Sequence, residues 1–298
     1  MQQLLATGII GMVGSRFLEM FKDKYEVANI DILSGVDITD KASVEKFVSD
    51  HLADLPAQAG TLIHLAAFTD TNKAWEEKGN TDGICYKVNV IGTKNLAEVC
   101  AYHGIHLIHI STDFVFDGTK TGAYVEDDAT APLEWYGETK AIAEEVVKDS
   151  GVSYTIVRIA YPYRANFDNK PDLIKKIREG LESGKLNPQF SDTIITPTLI
   201  DDIARAFDKI IELKPQGIYH VTGSTSLSPY ELAQKVAVAY GFSKDIVKES
   251  SLTEYLKSAS RPFAARVAMD NSKATKDLGL TFAGIDEGLA EIKKQQGL

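Results

Sequence analysis

The stretch "LLATGIIGMVGSRFLEMF", residues 4–21, carries the first indication of the fold. A short apolar run passes through Gly8, Gly11 and Gly14 into an amphipathic segment. Glycines at a strand-to-helix turn allow a tight bend and a close approach of backbone N–H groups to a pyrophosphate, and the helix N-terminus supplies positive field. Since the spacing is G-x-x-G-x-x-G rather than G-x-G-x-x-G, the turn alone is a weak indication, and an ordinary turn is the alternative.

An acidic residue downstream favours dinucleotide binding. Asp31 ends the second predicted strand, 23 residues after Gly8 and 17 after Gly14. These separations bracket the offset of about 20 residues at which a carboxylate accepts the ribose hydroxyls of NAD. Because Asp31 would repel a 2′-phosphate, we expect NAD(H) or NADP(H), with NAD(H) slightly preferred. Arg16 is a further cofactor candidate that could pair with a phosphate or cover the adenine, and a solvated helix residue is its alternative.

Apolar runs rich in β-branched residues alternate with amphipathic segments through the first half of the chain. This pattern predicts an α/β fold with a Rossmann-type doubly wound parallel sheet. The predicted strands are 2–7, 26–31, 61–65, 105–110 and 153–159, and the predicted helices between them are 14–23, 40–54, 84–103 and 136–150.

The alternation weakens from about residue 160, where a smaller region is predicted to begin. It carries helices at 172–183 and 199–213, the strand "GIYHV" that could extend the sheet, and a helix that Ser228, Pro229 and Glu231 start with a capping box. We therefore expect a dinucleotide-binding domain at 1–160, which 194–222 rejoins. A discontinuous substrate-binding region would comprise 161–193 and 223–298.

Composition excludes several classes of function. The formal net charge of −10 argues against nonspecific binding to nucleic acid or anionic membranes, since both need a basic surface. With no apolar run of about 20 residues and no basic signal-peptide start, a cytoplasmic protein is expected. The two cysteines, Cys85 and Cys100, are wrongly spaced for a zinc site, so buried free thiols and no metal site are predicted.

A candidate catalytic pair lies in "LEWYGETKAIAEE", residues 133–145. Tyr136 and Lys140 are four positions apart, so on a helix they share a face. A carbonyl that receives a hydride needs a proton, which a phenol can deliver if a nearby ammonium stabilises its phenolate. Two ordinary surface residues are the alternative, because the spacing alone does not decide between them.

A hydroxyl-bearing strand end supports the catalytic interpretation. In "LIHISTDFVFDG", residues 107–118, an apolar strand opens into Ser111 and Thr112. Ligands of open parallel sheets bind outside the carboxyl ends of the strands. A hydroxyl there can donate to a substrate carbonyl oxygen, although a turn hydroxyl is the alternative.

Several motifs together resemble the extended short-chain dehydrogenases/reductases. Besides the glycines and Asp31, they are "HLAA" (64–67), "NVIGT" (89–93), "STDFVFDG" (111–118) and "YGETK" (136–140), in the order and spacing of that superfamily. The resemblance implies a catalytic triad of Thr112, Tyr136 and Lys140, of which Tyr136 and Lys140 would also bind the cofactor. The other implied supporting and cofactor-lining residues are Asn89, Ala66, Ala67, Asp37 and Ile38.

Two later segments, "QFSDTIITPT" (189–198) and "SRPFAARVAMDNSKA" (260–274), add to "STDFVFDG" and the "YGETK" helix. Together these segments are most similar to those of the dTDP-4-dehydrorhamnose reductase group. This resemblance implies an NAD(P)H-dependent reductase of a 4-keto nucleotide-activated deoxysugar, with Phe114 where dehydratases carry a glutamate. The chain departs from the group at Tyr161, Arg164 and Ala265 on the expected sugar-facing wall. The implied substrate-binding residues are Thr112, Asp113, Phe114, Tyr161 and Arg261.

Two other functions stay open at this point. A nucleotide-sugar epimerase of the same superfamily would recycle its NAD without net consumption of NADH. A non-catalytic NAD(P)-binding regulatory subunit, like the relative that serves methionine adenosyltransferase, would bind the cofactor without turnover. The expected partner is a nucleotide-sugar substrate, with no nucleic acid and no membrane, and a homodimer is an open option for assembly.

Overall fold

A six-stranded parallel sheet forms the centre of the molecule, as the computed structural model shows for the described residues, 1–52 and 60–298. The strand order is β2-β1-β3-β4-β5-β9. The strands are β1 Gln2–Thr7, β2 Tyr25–Ile30, β3 Thr61–His64, β4 His106–Thr112, β5 Tyr154–Ile159, β6 Pro162–Tyr163, β7 Gln189–Phe190, β8 Thr198–Leu199, β9 Gly217–His220 and β10 Glu249–Ser250. The predicted α/β class is confirmed.

Helices cover both faces of this sheet and build the smaller region. The helices are α1 Met12–Phe21, α2 Lys41–Leu52, α3 Thr71–Glu76, α4 Ile84–Tyr86, α5 Thr93–His103, α6 Trp135–Asp149, α7 Leu173–Glu182, α8 Ile200–Leu213, α9 Pro229–Ala239, α10 Leu252–Leu256, α11 Ser272–Leu278 and α12 Ile285–Gln295. A π-helical stretch, Lys87–Gly92, joins α4 to α5, so the predicted helix 84–103 is one continuous helical segment with a wider turn inside it. Residues 53–54 of the predicted helix 40–54 lie outside the described residues.

Several predicted boundaries were wrong by one or two residues, and two of them bear on the site. Helix α1 begins at Met12 rather than residue 14, so Gly14 lies inside its first turn, where a Cβ would stand only 2.4 Å from the Ile9 carbonyl oxygen. Strand β4 runs to Thr112 rather than ending at 110, because Ser111 and Thr112 continue the ladder opposite Arg158 and Ile159. The glycine permits close helix–strand packing, and the longer ladder fixes the position of the Thr112 hydroxyl.

The strand order creates a crevice beside β1. The chain leaves β1 for β2 on one side and returns to β3 on the other side, so the direction of winding reverses between β1 and β3. In open α/β sheets, ligands bind outside the carboxyl ends of the strands at this switch point. Gly8 lies there, and a Cβ on it would stand 2.7 Å from the Ala66 backbone nitrogen.

Each of the two regions has its own apolar core. One face of the sheet packs against α1, α8 and α11, and the other packs against α2, α5 and α6. A further core joins α7, α9 and α12 with the segments around β6 and β8. Since α11 packs against the sheet, part of the C-terminal third contributes to the core of the first region. The division of the chain into two domains stays a prediction.

Other sequence predictions were confirmed. β9, from "GIYHV", forms the edge strand next to β5. Ser228 caps α9 in a capping box with Glu231, and Pro229 is the first residue of the helix. Cys85 and Cys100 are free and buried. Within the described residues, no helix combines the length and apolar character needed to cross a bilayer.

Candidate active site

The glycine turn fits a dinucleotide phosphate. Gly8 adopts a φ of 61°, which favours glycine, and the Gly11 N–H donates to the Gly8 carbonyl oxygen at 3.0 Å. Gly11 is the N-cap of α1 and makes no side-chain capping hydrogen bond, so the first N–H groups of the helix face the crevice without a side-chain cap. A helix N-terminus of this kind attracts anions. The turn thus offers space and positive field for a pyrophosphate.

The predicted adenosine-side residues follow β2. Asp31 caps a short 3₁₀ turn, and its Oδ1 accepts from the Leu33 N–H at 2.9 Å. Ile38 is buried, and a Cβ on Gly92 would lie 2.7 Å from its Cδ1. Asp37 is exposed and accepts from the backbone and hydroxyl of Thr39. Asp31 and Asp37 therefore place carboxylates just after the edge strand β2, and Ile38 packs against Gly92, while their assignment to the adenosine stays a prediction.

Arg16 is engaged elsewhere in the structure. Its Nε and Nη2 donate to the two carboxylate oxygens of Asp201 on α8, each at 2.7 Å, and its Nη1 donates to Glu19 at 3.0 Å. This fork of bonds ties α1 to α8. A contact between Arg16 and the cofactor would have to break part of this network. The assignment of Arg16 to the cofactor therefore stays a prediction.

Thr112 and Tyr136 lie side by side at the carboxyl edge of the sheet. Thr112 ends β4, and Tyr136 is in the first turn of α6. Burial raises the pKa of the Tyr136 phenol above its ordinary value, the nearby Asp113 carboxyl raises it further, and a hydrogen bond with Thr112 opposes both. The phenol is therefore protonated at neutral pH, the state that a proton donor needs.

Lys140 is almost fully buried one turn further along α6, at 2% exposure. Its Nζ lies 3.3 Å from Nε2 of His109 on β4. Burial lowers the pKa of Lys140 to about 8, although the charge of Glu144 on the next turn opposes that shift. Burial and the Lys140 charge hold the pKa of His109 well below its ordinary value, so a neutral imidazole accepts a hydrogen bond from the ammonium.

A buried chain of hydrogen bonds links the glycine strand to Asn89. The Ala66 N–H donates to the Thr7 hydroxyl at 3.0 Å, which leaves that hydroxyl to donate to His64 Nδ1 at 2.7 Å. His64 Nε2 then donates to Thr93 Oγ1 at 3.0 Å, and the Thr93 hydroxyl donates to the Asn89 carbonyl oxygen at 2.6 Å. Burial lowers the pKa of His64 to about 3, consistent with this neutral tautomer.

The π-helical stretch presents the Asn89 side chain to the loop after β3. Its Oδ1 accepts from the Phe68 N–H at 2.8 Å, and its Nδ2 donates to Thr139 Oγ1 on α6 at 3.0 Å. Single π-turns inside helices are frequent at functional sites. Asn89 thus connects the loop that follows Ala66 and Ala67 with the helix of Tyr136 and Lys140.

A narrow cavity of about 40 Å³ is lined by three of the five predicted substrate residues. Its lining includes Asp113, Phe114, Glu134 and Tyr161, and Phe263 lines it from the C-terminal third. Burial raises the pKa of Asp113 to about 7, and the charge of Glu134 adds to this rise. Tyr161 has a φ of 41°, an uncommon conformation for a side chain of this size, and such strain is concentrated at functional sites.

Two neighbours of the candidate catalytic residues were missed by sequence reasoning. Glu134 is the N-cap of α6, and its Oε2 accepts from Nη1 of Arg261 at 2.6 Å. His109 contacts Lys140 from β4. A carboxylate two residues before Tyr136 and a polar residue inside an apolar strand were the available indications for them. The partner of each lies on a distant part of the chain, so the pattern alone did not identify it.

A doubly wound sheet with a glycine turn at its switch point, and with threonine, tyrosine and lysine side chains beside it, defines an oxidoreductase of the extended short-chain dehydrogenase/reductase class. The comparisons with known proteins narrow the class. The chain belongs to the family described as RmlD substrate binding domain, which it matches over residues 1–296. The resemblance stated from the sequence is confirmed.

The chain is similar to several named members of this group. It is 30% identical to the dTDP-4-dehydrorhamnose reductase of Aggregatibacter actinomycetemcomitans, over 98% of this chain and 99% of that protein. The crystal structure of dTDP-4-dehydrorhamnose reductase from Bacillus anthracis in complex with NADP has a TM-score of 0.86 and 26% identity, covering 99% of each chain. The crystal structure of a dTDP-4-dehydrorhamnose reductase from Clostridium acetobutylicum has a TM-score of 0.86 and 28% identity, covering 100% of each chain.

Proposed function

We propose that this protein is an NAD(P)H-dependent reductase that acts on the C4 keto group of a nucleotide-activated deoxysugar. The observation that carries the proposal is the meeting of Thr112 and Tyr136 at the carboxyl edge of β4, with buried Lys140 one turn further along the same helix. Membership of the RmlD family and the names of the relatives support a dTDP-4-keto-6-deoxy sugar as the substrate.

The chain's own side chains supply the acid chemistry. The glycine turn at Gly8 would hold the pyrophosphate of the reduced cofactor, and the nicotinamide of that cofactor, when bound, would supply the hydride. The Thr112 hydroxyl donates to the carbonyl oxygen and orients it, and the Tyr136 phenol delivers a proton to that oxygen as charge develops there. Since burial and Asp113 raise the pKa of Tyr136, the positive charge of Lys140 is needed to stabilise the phenolate that remains.

We further propose NAD(H) as the slightly preferred cofactor. Asp31 lies at the end of β2, where a carboxylate accepts from ribose hydroxyls and repels a 2′-phosphate. Arg16, the nearby cation in the glycine segment, is paired with Asp201 and Glu19 rather than exposed for a phosphate. The NADP of the Bacillus anthracis enzyme argues for the other cofactor, so the two must be compared directly. A homodimer and a cytoplasmic location stay predictions.

The test is a turnover assay with both cofactors. The purified protein is mixed with NADH or NADPH and a dTDP-activated 4-keto-6-deoxyhexose, and loss of the reduced nicotinamide absorbance is followed alongside sugar product analysis. We expect one equivalent of reduced cofactor to be consumed per sugar. Interconversion of sugars with no net consumption would identify an epimerase instead. Cofactor binding without turnover of any keto sugar would favour a regulatory subunit.

A further inference from the structure

A buried ion pair joins the catalytic helix to the C-terminal third of the chain. Nη1 of Arg261 donates to Oε2 of Glu134 at 2.6 Å, and the two side chains are 13% and 5% exposed. Glu134 is the N-cap of α6, two residues before Tyr136, and its Oε1 accepts from the Gly137 N–H at 3.3 Å. The pair therefore lies directly beside the proposed acid.

The same contact holds a strap over the sugar cavity. We use "strap" for residues 260–264, which cover the cavity with Phe263 and Ala264. The Trp75 indole donates to the Ser260 carbonyl oxygen at 3.0 Å at one end of the strap. Just beyond the other end, the Arg266 N–H donates to the Gly118 carbonyl oxygen at 3.2 Å. The Glu134–Arg261 pair fastens the strap between these two backbone contacts.

The fastened strap narrows the cavity beside the predicted substrate residues. The cavity measures about 40 Å³, whereas ligand pockets are typically about 300 to 1,000 Å³. A ligand that enters this cavity has to displace the strap from α6. Because the Glu134–Arg261 pair ties the strap to that helix, substrate entry has to rearrange it.

Arg261 also has donor capacity that Glu134 does not use. Its Nε is buried without a hydrogen-bond partner among the described residues, and its guanidinium lies 4.3 Å from the centre of the Phe263 ring. A planar guanidinium with forked donors suits two oxygens of a phosphate. In the fastened arrangement, however, the Glu134 carboxylate occupies Nη1 and neutralises the charge.

We propose that Glu134 is a specificity-determining residue that competes with the substrate's diphosphate for Arg261 and releases the strap only when a diphosphate takes its place. This inference rests on the proposed function and adds a control of substrate entry to it. A neutral sugar offers nothing to exchange for the carboxylate, whereas a nucleoside diphosphate replaces one anion by another at the guanidinium. The exchange gives the cavity selectivity for diphosphate-activated sugars.

Calorimetric titration with thymidine 5′-diphosphate tests the competition without turnover. Glu134→Gln keeps the size and the capping oxygen but removes the competing charge, so we expect it to bind the diphosphate about tenfold more tightly than the unaltered protein. Thymidine has no phosphate to contact Arg261, so its gain in affinity from Glu134→Gln should be smaller than the gain of the diphosphate. The control is Glu138→Gln, which removes an exposed carboxylate from the same helix and should leave both affinities unchanged.

A double-variant cycle separates competition from a general effect of charge. The gain from Glu134→Gln should disappear in an Arg261→Gln background, since the contested guanidinium is gone. Equal or weaker diphosphate binding by Glu134→Gln, a gain that survives in the Arg261→Gln background, or no diphosphate binding by any of these proteins would each overturn the inference. If the gain is seen but no keto sugar is reduced, the competition stands and the proposed reductase function fails.

Discussion

Replacing Lys140 by methionine is expected to stabilise the folded protein while removing its activity. Lys140 is 2% exposed, and burial lowers its pKa from the ordinary 10.5 to about 8. At 1.36 kcal/mol per pH unit, keeping this ammonium charged at neutral pH destabilises the fold by about 3 kcal/mol. The lost hydrogen bond to His109 offsets about 1 kcal/mol of the gain. We therefore expect Lys140→Met to raise the free energy of unfolding by about 2 kcal/mol at pH 7.

The gain must depend on pH in a defined direction. In the unfolded chain Lys140 has its ordinary pKa of 10.5, and in the folded protein its pKa is about 8. Between these values the unfolded state binds more protons, so the stability of the unaltered protein rises with pH. The advantage of Lys140→Met is therefore full below about pH 8 and shrinks toward zero as the pH approaches the unfolded value.

Urea unfolding followed by circular dichroism at pH 7 and near pH 10 measures both effects. Lys148→Met is the matched control, because Lys148 is on the same helix, is half-exposed, and is paired with Glu145 at 2.8 Å. Such a surface pair contributes at most about 1 kcal/mol. A Lys140→Met protein less stable than the unaltered one at pH 7 would contradict the prediction and would mean that the buried ammonium is net stabilising.

Two further substitutions test the packing of the glycine turn and a buried ion pair of the helix that carries Tyr136 and Lys140. Gly14→Ala places a Cβ 2.4 Å from the Ile9 carbonyl oxygen. We therefore expect the affinity for NADH, measured by titration calorimetry, to fall by at least about tenfold, and the free energy of unfolding to fall by about 1–3 kcal/mol. The control Gly122→Ala has open space around its Cβ and should change neither quantity. Glu144 pairs with Arg158 at 2.7 Å, and the Arg158 side chain is 1% exposed, so Glu144→Gln leaves the Arg158 charge buried without its ion-pair partner. The free energy of unfolding, measured in urea, should fall by about 3–5 kcal/mol. A decrease below about 1 kcal/mol would contradict a stabilising role of this buried pair.

The parallel sheet was predictable because its information is local. Each strand is a short apolar run rich in β-branched residues, and the glycine turn follows directly after β1. The spacing of the apolar residues and the turn-forming residues at the element ends therefore indicated which segments are strands and which are helices. The start of α1 at Met12 was not predictable, because the fit of Gly14 against Ile9 depends on packing. The extension of β4 through Thr112 depended in the same way on its pairing with β5.

The electrostatics of the site depend on contacts that are distant in sequence. Arg16 meets Asp201, and Arg261 meets Glu134, across separations of 185 and 127 residues. Sequence spacing brought Tyr136 and Lys140 onto one helix and suggested a lowered phenol pKa. The folded chain adds burial and the Asp113 carboxyl beside the phenol, which raise that pKa. Three-dimensional packing therefore decides the protonation state that a spacing argument leaves open.

The most direct test of the proposed function is the initial rate of NAD(P)H oxidation with a dTDP-activated 4-keto-6-deoxyhexose, compared between the unaltered protein and Tyr136→Phe. Removing only the phenolic hydroxyl takes away the proton donor and leaves the ring that packs against Phe114 at 5.6 Å. We predict net cofactor consumption by the unaltered protein and a rate lower by about two to four orders of magnitude in the variant. Near-full turnover by Tyr136→Phe, or no net consumption by the unaltered protein, would contradict the account.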